Sequence, residues 1–399
     1  MNEKLANDDV SVPKYCKQML TMLERLHDVG TESDRAGNRK LFYDQVCTLV
    51  LLYFFNPLLT SLRSIQRASE LKKVQRQLKC PRASLGSLSE ALHTFDADLL
   101  LPVIQELSEQ LQPLIRDKRL DEINKTIMLV DGSLLTALPQ MAEASLLKEA
   151  KGNGTVKWRL HTQFELLKGV PERIDVTRDQ GEGCDEREVL SNNLQPGICY
   201  IGDRGYMKYA MYNAIHDAGS SYVIRIKDNS KFRVLEEREL TDAAREQRVV
   251  NDDIVLLSPQ DSKRQPNHKT RLIVIEHQAH KKHHSYKKTG PACDGYIRIV
   301  TDMLDVPAEM IALLYHYRWA IEIFFRYFKH LLGCRHLISR NENGIRIEVY
   351  CGIIACLLIS LWTGRKPTLR THEMVSFYLM GWADEEELLN HLTSLKKHE

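Results

Sequence analysis

The run TIMLVDGSLL (126–135) decides the fold. It opens with β-branched and long apolar residues and then reaches Asp131-Gly132. It therefore reads as a buried strand with an acid at its end. Downstream, WRLHTQFELL (158–167) partly alternates and RIDVT (173–177) reads as extended, with a short helix near 186–190. CYIGDRG (199–205) is a second buried strand that ends on an acid, Asp203. YMKYAMYNAIHDAG (206–219) is an amphipathic helix stopped by Gly219, and SYVIRIK (221–227) is another strand. The order is three strands, a short helix, then strand, helix, strand, which places the chain in the α/β class.

Residues 1–120 read as a helical N-terminal region, with apolar positions such as Leu99, Val103, Ile104, Leu107, Leu111 and Leu114 at three-to-four spacing. Ser87 and Asp96 are expected N-caps there. The α/β part covers 121–228 and 296–365, divided by a polar, β-rich insertion at 229–295. After YIRIVTD (296–302), one long helix is expected from Pro307 to Leu332, then an apolar helix near 347–362 and a helical tail over 366–399.

The chain has 399 residues, with 55 Lys and Arg against 53 Asp and Glu. A net charge of +2 names no partner, so only local clusters can point to nucleic acid. The nine cysteines form no CxxC pair, which argues against a disulfide framework or a structural zinc site and for reduced thiols, as in the cytosol. The opening MNEKLANDDV is polar, unlike a signal peptide, and the apolar runs 47–58 and 350–362 are too short to span a bilayer. They read as core helices, and no membrane partner is expected.

Asp131 and Asp203 each end a strand, while Glu322 lies in the long helix. Taken singly, Asp-Gly can be a turn, Asp203 a cap and Glu322 a solvated residue. On one straight helix, Tyr315, Arg318, Glu322 and Lys329 fall within an arc of about 60°. Met310, Leu314, Tyr317, Ile321, Phe324, Phe328 and Leu332 line a separate apolar face. An i,i+4 Arg–Glu pair on a solvent face would explain the stripe but not the apolar circumference. A carboxylate that holds a cation, flanked by Arg318 and Lys329 holding phosphate oxygens, explains both.

These residues resemble a known family. Y-x2-R-x3-E-x6-K, complete in YHYRWAIEIFFRYFK (315–329), is the signature of the insertion-sequence-four family of bacterial DDE transposases. VDGSLL, IGDRGYMKY, YVIRIKDNS, RIVTDMLDVPAEMIALLYHYRW and SIQRASELKKVQRQL are similar to that family as well. The resemblance implies a ribonuclease-H-like mixed-sheet catalytic core interrupted by the insertion, plus the all-helical N-terminal domain. It implies Asp131, Asp203 and Glu322 as catalytic residues that hold two Mg²⁺ ions, with Mn²⁺ as a substitute. It also implies double-stranded DNA as substrate, a homodimer in a synaptic complex, and a cytoplasmic, nucleoid-associated protein. Phosphodiester cleavage suits such a site, because two cations can activate the attacking oxygen and stabilise the leaving one.

Residues 63–82 carry seven Lys or Arg against one acid. Arg63, Arg67, Lys72, Lys73, Arg76 and Lys79 read either as DNA phosphate contacts or as a solvated helix face. HKKHHSYKK (280–288) reads as a DNA-contacting loop or a plain surface loop. Trp158 and Trp319 are expected in the core. Two other functions fit the same chain: a DNA-binding protein descended from a transposase, and a metal-dependent nuclease without strand transfer.

Overall fold

In the computed structural model, the residues described are 20–29, 37–115, 117–136, 157–178, 183–258, 265–277, 295–333, 337–339 and 341–395. The run TIMLVDGSLL lies in β1 (Thr126–Thr136), followed by β2 (Lys157–Glu165), β3 (Val170–Arg178), β4 (Ile198–Gly202) and β5 (Ser221–Arg225). Then come β6 (Phe232–Glu237), β7 (Val249–Leu257), β8 (Thr270–Glu276) and β9 (Tyr296–Thr301). All nine strands join one sheet in the order β3-β2-β1-β4-β5-β9-β8-β7-β6. β1 pairs parallel to β4 and β4 parallel to β5, and the other neighbours are antiparallel. β4 is buried along its whole length, as a central parallel strand covered on both faces must be, which accounts for its apolar run.

Before the sheet come α1 (Tyr43–Phe55), α2 (Leu62–Ser69), α3 (Lys72–Leu78), α4 (Leu85–Thr94) and α5 (Leu101–Glu109). Within it lie α6 (Glu186–Ser191), α7 (Tyr209–Asp217) and α8 (Asp242–Glu246). After it come α9 (Ala308–His316), α10 (Trp319–Gly333), α11 (Glu342–Thr363), α12 (Leu369–Met380) and α13 (Glu385–Leu395).

Side chains alternate across a strand, so β1 feeds two cores. Ile127, Leu129 and Leu135 join a cluster with α9, α10, α11 and the N-terminal helices. Met128 and Val130 join a second cluster, on the other face, with Leu190 of α6 and Tyr212 and Ile215 of α7. The N-terminal helices thus share a core with the sheet. α11 is, among the described residues, the one helix long and apolar enough to cross a membrane, and most of it is buried in that core. It is longer than the apolar run 350–362 that the sequence displays.

Three sequence expectations change, and the reading of 229–295 as β-rich is extended. β1 does not end at Asp131 but runs five residues further, paired antiparallel to β2; what stops there is the parallel ladder with β4, whose last rung is Val130–Gly202. The strands of 229–295 continue the same sheet, attached to β5 through β9. The cap of α4 is Ser84, which accepts from the Ser87 amide, so Ser87 lies inside the helix; Asp96 does cap the 3₁₀ turn Ala97–Leu100. The long helix is broken. α9 ends at His316, and Tyr317 and Arg318 form a turn before α10. There Arg318 N–H donates to Tyr315 O, and Ala320 N–H to Tyr317 O, three residues back rather than four. Such a tightened turn changes the helix direction. The Tyr317 hydroxyl donates to Asp117 Oδ2 at 2.7 Å, tying the turn to the segment before β1.

The outer strands brace the chain that leads into α9. Arg271 of β8, 2% exposed, pairs with Asp252 of β7 through Nε and Nη2 at 2.6 and 2.7 Å. Its remaining Nη1 donates to the carbonyls of Met303, Leu304 and Val306, and Arg238 donates to Leu304 O as well. A buried guanidinium is tolerated only when its donors are matched in this way.

Candidate active site

Parallel register sets the site. Val130, Gly202 and Ile224 form one row across β1, β4 and β5, so Asp131, Asp203 and Arg225 form the next, at the mouth of the parallel ladders. Crevices of this kind, outside the carboxyl ends of parallel strands, are where α/β sheets bind ligands.

Each Asp is anchored by a neighbouring amide. Gly132 N–H donates to Asp131 Oδ1 at 2.8 Å, and Gly205 N–H donates to Asp203 Oδ1 at 2.7 Å. Asp203 therefore does cap the turn Arg204–Tyr206, and its second oxygen is left for other work. Burial pushes the Asp131 carboxyl up to about 7, and the Asp203 charge adds to the effect. The Gly132 amide and the Arg318 guanidinium oppose it, while Glu186 raises it further. Two crowded carboxylates in a partly dry site favour a proton or a cation.

Arg318, in the turn before α10, lies between the Asp pair and Glu322. Its Nη2 donates to Glu322 Oε1 at 2.5 Å, with the two side chains 17% and 33% exposed. Its guanidinium lies 5.8 Å from the centroid of the buried Tyr315 ring. Burial pulls the Arg318 pKa down, but Tyr315, Glu322 and Asp131 together leave it raised. Burial raises the Tyr315 hydroxyl, Arg318 and Arg225 oppose the shift, and Asp203 adds to it. The structure thus brings together Asp131, Asp203, Arg318 and Tyr315, and joins Glu322 to them through Arg318. Lys329, half-buried, follows Glu322 by two turns of α10 on the same side of that helix. The break leaves Tyr315 and Arg318 off the straight arc expected for all four.

The donors are carboxylate oxygens, the kind that Mg²⁺ prefers, so the residues present fit a hard divalent cation. Among the described residues, however, no three His, Cys, Asp or Glu side chains form a group spaced to hold one ion. The structure brings the Asp pair together and turns Glu322 onto Arg318.

Sequence reasoning missed two residues. Arg225 lies beside Asp203 through the β4–β5 register, and its position in SYVIRIK matches that of Asp203 in CYIGDRG. Glu186, the first residue of α6, approaches from below Gly132 and pairs with Arg159 of β2. Trp319 is corrected: it is 54% exposed at the start of α10, because the break in the helix swings it out of the core, whereas Trp158 is buried.

All seven cations of 63–82 are exposed, on and around α2 and α3. Lys79 pairs with Glu24 and Arg82 with Glu70. Arg63, Arg67, Lys72, Lys73 and Arg76 have no acidic partner among the described residues. They are not part of the Asp131 site. HKKHHSYKK (280–288) lies outside the described residues.

A family model described as "Transposase DDE domain" matches residues 123–358, well over half of the chain. The chain belongs to this family. The matched span of this DDE transposase domain holds Asp131, Asp203 and Glu322 together. A putative transposase, y4zB, of Sinorhizobium fredii (strain NBRC 101917 / NGR234) is 27% identical over 215 residues, 53% of this chain and 55% of that protein. The probable transposase for insertion sequence element IS5377 of Geobacillus stearothermophilus is 25% identical over 284 residues, 70% and 66% of the two chains. The putative transposase for insertion sequence element IS4SA of Synechocystis sp. (strain ATCC 27184 / PCC 6803 / Kazusa) is 23% identical over 214 residues, 51% and 52%. The chain thus spans about half to two thirds of the length of these curated relatives. A cryo-EM structure of the piggyBac transposase synaptic complex with hairpin DNA aligns with 97% of this chain and 86% of that one, at 9% identity. The TM-score of that alignment is 0.36.

Proposed function

We propose that this DDE-family protein is a DNA transposase. It binds the terminal inverted repeats of an insertion sequence, cleaves the phosphodiester backbone and joins the 3′-hydroxyl ends to target DNA. The observation that carries the reading is the row of Asp131, Asp203 and Arg225, with Arg318, in the turn between α9 and α10, near enough for its charge to act on Asp131. Two acids and two guanidiniums at one mouth suit cations and phosphate oxygens together.

Asp131, Asp203 and Glu322 would hold two Mg²⁺ ions, or Mn²⁺ in their place. When bound, such ions supply an activated nucleophile and a stabilised leaving oxygen. Arg318 and Lys329 hold the phosphates, and Tyr315 packs beneath Arg318 to fix its direction. Glu322, paired with Arg318 in this structure, would be the third carboxylate to hold the ions, and Arg318 would then face phosphate. The strand order β3-β2-β1-β4-β5 and the acids at matched strand positions support a ribonuclease-H-like core over 121–228 and 296–365. The strands of 229–295 then extend its sheet. Arg63, Arg67, Lys72, Lys73, Arg76 and Lys79 contact DNA phosphates from the N-terminal region, and a homodimer assembles on two element ends. The protein works in the cytoplasm at the nucleoid.

The test is single-turnover cleavage of linear DNA that carries the element's own ends, in Mg²⁺. The wild-type protein nicks at the ends; Asp131→Asn, Asp203→Asn and Glu322→Gln bind the ends but do not cut. Wild-type cutting by any one variant removes that residue from the cation set.

A further inference from the structure

We propose that Thr162 is a positioning residue for Asp131, its hydroxyl donating to the carboxylate when the site holds its cations; this rests on the reading of Asp131 as a cation ligand. Thr162 lies in β2, directly opposite Asp131 across the β1–β2 ladder. Residues directly opposite in an antiparallel pair share a face of the sheet, with Cβ atoms about 4.5–5.5 Å apart. The neighbours show which face this is. Leu160 and Phe164, two residues either side of Thr162, join the same core cluster as Leu129, two residues before Asp131. Thr162 and Asp131 therefore stand side by side on the face that α10 covers, where the Phe324 ring lies 5.2 Å from that of Phe164.

Thr162 is 2% exposed, and its Oγ1 is buried with no hydrogen-bond partner among the described residues. Its surroundings explain why. On β3 it faces Ile174, and along its own strand come Leu160 and Phe164, all three buried and apolar. Asp131 is the one polar residue directly opposite it. A hydroxyl buried without a partner costs stability, and valine, equally suited to a strand, would avoid that cost. Packing alone therefore gives no reason for threonine here. Asp131 supplies the matching acceptor. Its Oδ1 takes the Gly132 amide, while its Oδ2 accepts no hydrogen bond among the described residues. A carboxylate held by one oxygen can still swing about that contact, and a second donor at its side stops the swing. Carboxylates that ligate metals are themselves oriented by hydrogen bonds of this kind. A change of χ1 rotamer, with no backbone movement, turns the Thr162 hydroxyl to a different neighbour.

The experiment is calorimetric titration of Mn²⁺ into the intact chain, free of DNA, with the ion-free unfolding temperature and the single-turnover cleavage of element ends recorded for each variant. Thr162→Val should melt at or above the wild-type temperature, because an unmatched hydroxyl is gone. It should nevertheless bind Mn²⁺ about 10- to 100-fold more weakly and lose cleavage in the same proportion, the usual cost of losing a supporting group at a metal site. Thr162→Ser keeps the hydroxyl and should restore Mn²⁺ affinity to near wild type, although it melts lower for want of a buried methyl. A merely structural Thr162 gives the reverse order, with serine the worse variant in every assay. That result, or wild-type Mn²⁺ affinity in Thr162→Val, overturns the inference. Asp131→Asn separates the inference from the reading beneath it. Loss of Mn²⁺ binding there, with wild-type binding in Thr162→Val, defeats the role of Thr162 alone. Wild-type binding in Asp131→Asn defeats the cation reading and the inference with it.

Discussion

Asp131 and Asp203 stand at the same level of the sheet because each follows directly on the last rung of one parallel ladder, Val130–Gly202. Two half-buried acids held side by side repel each other. Asp203→Asn should therefore stabilise the ion-free protein, by on the order of 1 kcal/mol. It should also abolish the rise in unfolding temperature that Mg²⁺ gives the wild type. Thermal unfolding with and without Mg²⁺ measures both effects, and an Mg²⁺-induced rise equal to wild type would show that the pair holds no ion.

Arg318 separates catalysis from packing. Its pair with Glu322 is only partly buried, and such pairs contribute about 0.2–1 kcal/mol to stability. As a phosphate clamp, its loss in Arg318→Ala should cost roughly 100- to 1,000-fold in cleavage, as for a lost transition-state donor. Arg318→Lys should recover little, since a single ammonium cannot present a planar fork. Lys329→Ala should behave as a milder version. Normal cutting by an Arg318→Ala protein that melts several degrees lower would make the residue structural.

The N-terminal cations make a prediction about salt. Replacing Arg63, Arg67, Lys72, Lys73 and Arg76 with Gln should weaken binding to element ends and flatten its salt dependence. Each lost phosphate contact reduces the log–log slope by about 0.9. Binding isotherms across a salt series give the slope directly, and an unchanged slope would leave these residues a solvated surface.

Glu348 predicts a pH dependence unrelated to DNA. It lies fully buried in α11 and accepts the Ile338 amide at 2.9 Å. Burial pushes its carboxyl up to about 8, with the Ile338 and Ser339 amides opposing. The unfolded chain ionises near the ordinary glutamate value while the folded chain stays protonated, so stability falls as pH rises from there to about 8 and then levels. Glu348→Gln should remove this slope and gain a few kcal/mol near pH 8. Denaturant unfolding between about pH 4 and pH 9 tests it, a range of about five pH units that spans both ionisations. An identical pH profile in the two proteins would show that Glu348 stays charged.

Much of this architecture is legible in the chain itself. The strand order around Asp131 and Asp203, and the short helix at 186–191, follow from apolar runs and turn residues. The acids in VDGSLL and IGDRG are conspicuous because each interrupts a buried run. The break at Tyr317–Arg318 is not legible, since no Pro or Gly marks it, and its outside tie is to Asp117, 200 residues away in sequence. Glu186 is equally silent. Its approach to Gly132 exists only once β1 and α6 are packed. Nor does local composition say that 229–295 would continue the sheet, because strand partners are chosen at long range.

The placing of β9 between β5 and β8 bears on how the chain acquires its shape during synthesis. The first five strands can pair as they emerge, but β5 keeps an open edge until Tyr296–Thr301 has been made, some seventy residues later. Closing that edge is a non-local step with a large loop entropy, the kind that slows folding. Glu322 lies later still. A ribosome-bound chain therefore carries its two aspartates well before it carries the glutamate. On the proposed reading, the growing polypeptide does not cut DNA until α10 has been made.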